Sequence, residues 1–77
     1  MKIWIVESHD YYPETISVHL NSLTAMDAAE KWLGKEHAVY SDTAWTHPNG
    51  AGCVSLPFES KAGKTYTMWV YPMKVED

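Results

Sequence analysis

Seventy-seven residues with a formal charge of −4, no arginine and one cysteine describe one domain with a thin core, because a chain this short buries only about 60–65% of its unfolded surface. The charge and the missing arginine exclude a general binder of phosphate backbones, which depends on clustered Lys and Arg, but suit attraction to a basic protein surface. The single Cys53 excludes an intramolecular disulfide and suits a reducing compartment; with no long apolar run and no signal peptide, no membrane role is expected.

Lys2 to Glu7 reads as a first strand, with Ile3 and Ile5 on one face and Trp4 and Val6 on the other. Ser8 to Glu14 is a polar, aromatic loop interrupted by Pro13. Thr15 to Leu20 alternates, and the pattern predicts Ile16, Val18 and Leu20 inward with Ser17 and His19 outward. These two strands are expected to pair as a hairpin. Thr24 to Leu33 is the clearest helix: Thr24 is placed to cap it, with Asp27 in a capping-box position. Ala25, Ala28, Ala29, Trp32 and Leu33 form its apolar stripe, and Asp27 and Lys31 form an i,i+4 pair. Gly34 follows as the residue able to take a left-handed terminus.

Beyond the helix, Val39 and Tyr40 start a short strand and Ser41-Asp42 a turn, and His47-Pro48-Asn49-Gly50 is a strong turn signal. Gly52 to Phe58 sets Val54, Leu56 and Phe58 against Cys53, Ser55 and Pro57, and Pro57 assigns this strand to an edge. Thr65 to Val75 is the longest strand, with Tyr66, Met68 and Val70 opposite Trp69, Tyr71 and Met73. The expected fold is α+β: an antiparallel sheet of four to five strands with one helix packed on one face, in ββαβββ order.

One helix covers one face. The other, expected to carry Trp4, Val6 and part of the last strand, is left as an apolar contact surface, unless the sheet curls or the loop from 36 to 52 folds back over it. Four tryptophans and five tyrosines exceed what one small core accommodates, so part of that aromatic area is expected at the surface.

Catalytic and ligand motifs fail on spacing. Gly63-Lys64-Thr65 resembles the tail of a phosphate loop, but Phe58 stands where the first glycine belongs and a strand follows where a helix is required. His9, His37, His47 and Cys53 lack metal-ligand spacing. Cys53 reads as a packing residue, and His9-Asp10 are neighbours on a loop with little volume for a pocket. No enzyme, cofactor or metal is expected. The aromatic, acidic stretch from Glu7 to Tyr12, with Glu14, is the most suggestive surface, tyrosines supplying contact area and carboxylates steering.

The whole pattern resembles the small, acidic, phage-encoded anti-CRISPR proteins, nearest to inhibitors of type I (I-E-like) surveillance complexes. The likeness rests on the two opening strands, the alanine-rich helix ending in Leu33-Gly34-Lys35-Glu36, the Asn49-Gly50-Ala51-Gly52 turn, and the closing Val70-Tyr71-Pro72-Met73-Lys74-Val75-Glu76. The resemblance implies a protein that binds a Cas protein or a type I CRISPR effector complex stoichiometrically in the cytoplasm of the bacterial host, blocking DNA binding or nuclease recruitment without touching nucleic acid itself. Its residues of expected contact are Glu7, Asp10, Tyr11, Tyr12, Glu36, Asp42 and Trp45. Two other classes fit the composition. One is a phage sponge binding a nucleotide signal through aromatic stacking and a lysine such as Lys64 or Lys74. The other is a phage accessory protein forming a homodimer through the uncovered sheet face.

Overall fold

The structure, a computed structural model, describes residues 1–9, 13–47 and 52–76. Four strands and one helix follow one another as β1 (Lys2–His9), β2 (Pro13–His19), α1 (Ser22–Lys35), β3 (Val54–Glu59) and β4 (Thr65–Lys74). The strands form one antiparallel sheet in the order β2-β1-β4-β3. This is the expected α+β architecture, with a ββαββ order. Where a fifth strand was anticipated, Val39 and Thr46 make isolated bridges to Glu59 and Ser55. The reason lies in β3. Ser55 and Glu59 send their backbone N–H groups outward to Thr46 and Val39 at 2.9 and 2.8 Å. Pro57, between them and facing the same side, has no N–H to send, so the ladder cannot continue.

The helix begins two residues earlier than expected. Asn21, in an extended conformation, is the N-cap, and its Oδ1 accepts from the Thr24 backbone N–H at 2.8 Å and from the Thr24 hydroxyl at 2.9 Å. Thr24 is therefore a first-turn residue and not the cap. The other end is also shifted. Gly34 is helical, Glu36 is the C-cap, and His37 takes the left-handed conformation with φ of 55°. His37 N–H donates to the Gly34 carbonyl at 3.2 Å and Ala38 N–H to the Leu33 carbonyl at 2.9 Å, the paired bonds of a Schellman stop. The Asp27–Lys31 pair forms at 3.1 Å, but both side chains are largely exposed, so its contribution is only a few tenths of a kcal/mol.

Ala25, Ala29 and Leu33 are fully buried where the helix lies on the sheet. Small residues let the helix approach closely, while Leu33 supplies roughly 2 kcal/mol of burial. The remaining core is Val6, Val54, Leu56, Phe58, Met68 and Val70, with Trp4, Ile16, Trp32, Tyr40, Trp45 and Tyr66 packed at its margin.

Two facial assignments made from alternation are reversed. Trp4 and Val6 lie beneath the helix and not on the uncovered face, because Val6 pairs directly with Val70 and Trp4 with Pro72, and directly opposed residues share a face. In β2, the pairing slips between Val6 and Glu7: Ser17 opposes Val6, Thr15 opposes Glu7, and Ile16 has no opposite number. This bulge changes the phase of the strand. Ile16 still reaches the core, but Val18 is 54% and Leu20 75% exposed. Ser17 and His19 are the half-buried residues, joined by a hydrogen bond of 2.7 Å.

Candidate functional site

Ile3, Ile5, Glu7 and His9 alternate on β1 and point away from the helix. Their partners across the ladder are Met73, Tyr71, Trp69 and Thr67 on β4, and Val18 opposes Ile5 on β2. No helix or strand among the described residues covers this face. The post-helix segment was the candidate cover, but Ala38, Tyr40, Ala44 and Trp45 pack against the helix-side core instead. Thr46 reaches the open side, its hydroxyl 2.9 Å from that of Ser55.

The face is apolar at its margins and polar at its centre. Ile5 is 8% exposed, flanked by its cross-strand neighbours, whereas Val18 and Met73 are 54% and 46% exposed. At the centre stands Glu7, its side chain 16% exposed. The Tyr71 hydroxyl donates to Glu7 Oε2 at 2.9 Å, and His9 Nε2 meets Oε1 at 2.5 Å. A carboxylate only accepts, so this contact selects the ring form with a proton on Nε2. The His9 ring is tilted against Trp69 with centroids 6.0 Å apart. Glu7 is thus held by two neighbours, neither of them Lys or Arg, beside two large aromatic side chains.

The protonation of this cluster follows from its setting. Burial, then the hydrogen bond and charge of Glu7, and finally the charge of Cys53, raise the Tyr71 phenol above its ordinary value of 10.0. The phenol therefore remains a donor throughout the neutral range. Burial likewise pushes up the Cys53 thiol, which is the opposite of what an activated nucleophile requires.

Of the expected contact residues that the structure describes, Glu7 and Glu36 fall on opposite sides of the sheet. Glu7 is the hub of the open face. Glu36 caps the helix and stands on the rim of a depression on the helix side. Asp42 is exposed, and its charge, after burial and Glu30, raises the Tyr40 phenol. Trp45 is half-buried against the core. Asp10, Tyr11 and Tyr12 lie outside the described residues. Sequence reading missed His9, Trp69 and Tyr71 as companions of Glu7. The alternation of Trp69, Tyr71 and Met73 was the available signal, but only the register between β1 and β4 joins it to Glu7.

Among the described residues, no three His, Cys, Asp or Glu side chains are grouped to hold a metal ion, and no helix is long and apolar enough to cross a membrane. Compared with protein-family models, curated proteins and solved structures, the chain matches none of them.

Proposed function

We propose that this chain is a phage anti-CRISPR inhibitor that binds a Cas protein or a type I effector complex stoichiometrically and blocks DNA binding or nuclease recruitment, docking through the open sheet face. The carrying observation is the pairing of a largely buried carboxylate, Glu7, with Trp69, Tyr71 and exposed aliphatic side chains on a sheet face that no element of the described chain covers. A nucleic-acid-handling protein presents Lys and Arg where it meets phosphates. A carboxylate beside aromatic faces suits such a group, because it supplies charge complementarity while the rings stack on a guanidinium.

The dimensions support a protein partner. Four strands about 4.8 Å apart, with a ten-residue strand about 33 Å long, offer roughly 600 Å², not far below the ~800 Å² per partner of a standard complex. A second copy is the poorer occupant, because a twofold contact over this face brings two Glu7 carboxylates together without a cation of their own. The nucleotide-sponge reading is also weaker. Lys74 lines a shallow depression with Met1, Lys2 and Pro72 and no tyrosine, tryptophan or phenylalanine, while the aromatic depression sets two carboxylates, Glu14 and Glu36, against its one lysine, Lys61.

The test is a reconstituted type I effector complex with target DNA. The wild-type chain is expected to co-elute at fixed stoichiometry and suppress DNA binding or nuclease recruitment. Glu7→Lys and Trp69→Ala should each weaken the complex by about thirtyfold, the scale of a hot-spot residue, with Asp42→Lys as the comparison for the post-helix loop. Failure of the wild-type chain to bind reconstituted type I complexes would sink the assignment. Normal inhibition by a folded Glu7→Lys variant would instead remove the open face from it.

A further inference from the structure

A depression of about 420 Å³ opens at the far end of the sheet, between the last turn of α1 and the β3–β4 turn. Phe58, 5% exposed, forms its floor. Trp32 meets Phe58 edge-on, with centroids 6.1 Å apart at 81°, and the Tyr66 ring is tilted against Phe58 at 5.9 Å and 50°. Glu14 at the start of β2 and Glu36 at the helix C-cap supply two exposed carboxylates to the lining, against one ammonium from Lys61. Among the described residues the lysine–carboxylate pair within salt-bridge distance is Asp27–Lys31, so neither rim carboxylate is in such a pair within the described residues.

We propose that this pocket receives the guanidinium group of an arginine side chain projecting from a protein partner. Aromatic walls favour a flat cation over an anion, since ring faces carry negative potential, and the two carboxylates add charge complementarity and planar acceptors for a guanidinium fork. The volume falls within the range of small-ligand sites, and the open mouth admits a side chain attached to a surface. Phosphate-bearing ligands meet two carboxylates against one ammonium there, so the lining charge disfavours them. The inference stands apart from the reading of the open face, because pocket and face lie on opposite sides of the sheet.

The experiment is a titration of the ¹⁵N-labelled chain, followed by NMR, with N-acetyl-arginine amide, its neutral isostere N-acetyl-citrulline amide, and spermidine. The arginine derivative is expected to shift the Trp32 indole N–H and the Glu36 and Tyr66 amides saturably in the millimolar range. The citrulline derivative should bind at least about fivefold more weakly, the scale of an exposed cation–π contact. The Glu14→Gln/Glu36→Gln variant, whose changes lie at exposed positions, should keep its melting temperature and lose about threefold or more in arginine affinity. No saturable shift at Trp32, equal binding of the citrulline derivative, or shifts centred on Trp69 would overturn the proposal. Tighter binding of spermidine at the same signals would assign the pocket to a free polyamine and overturn it as a partner-docking site.

Discussion

Tyr71 couples stability to pH through its bond to Glu7. Because its folded pKa is raised above the ordinary 10.0, the folded chain holds a proton that the unfolded chain releases. The associated stabilisation is complete below about pH 10 and is lost as pH rises through the higher folded value. Denaturant midpoints measured between about pH 9 and 11 should therefore fall more steeply for the wild type than for Tyr71→Phe. At neutral pH the same variant should be less stable by about 1 kcal/mol, the net worth of one hydrogen bond. Tyr40, also raised, adds alkaline loss to both proteins and cancels in the comparison, whereas Cys53, also raised, is coupled to Tyr71 by charge and contributes to the difference. Ser8 presents the opposite case. It is fully buried, and its hydroxyl has no hydrogen-bond partner among the described residues, so Ser8→Ala removes a polar group that they leave uncompensated. A gain of about 1 kcal/mol in denaturant unfolding is expected; a loss would show that the hydroxyl is satisfied in solution.

At the scale of the element, the helix terminus holds two residues in each other's preferred conformations. Gly34 is helical, and a Cβ added there meets nothing within 4 Å, so Gly34→Ala should stabilise by up to about 1 kcal/mol through helix propensity. His37 carries the positive φ of the Schellman stop, where a side chain costs roughly 1 kcal/mol. His37→Gly should raise the melting temperature despite the added freedom of the unfolded chain. A lower melting temperature would mean that His37 makes compensating contacts. The β2 bulge acts on the opposite edge of the sheet. By shifting phase at Ile16 it turns Val18 outward beside Ile5 and so enlarges the open face.

At the scale of the molecule, the core is small enough for one side chain to matter. Leu56 is fully buried among the helix-side residues, and Leu56→Ala should cost about 3 kcal/mol, a large share of the stability of a domain this size, read as a lower urea midpoint. Against that thin core, no helix or strand among the described residues covers the other sheet face. That face and the aromatic depression lie on opposite sides, so substitutions at Glu7 and at Glu36 should act independently and additively on any partner that engages both. Periodicity within single segments was enough to define the elements: the alternation of β3 and β4, the alanine stripe of the helix, the edge position of Pro57 and the ββα beginning all follow from local sterics and burial pattern. The helix ends were legible to within two residues, since Asn21, Thr24, Gly34 and His37 compete for cap roles that local pattern alone does not rank. Alternation tells that a strand has two faces but not which face joins which across the sheet. That phase is set by hydrogen-bond register, long-range in sequence, and it alone placed Val6 under the helix, turned Val18 out through a bulge, and brought Glu7, His9, Trp69 and Tyr71 to one place.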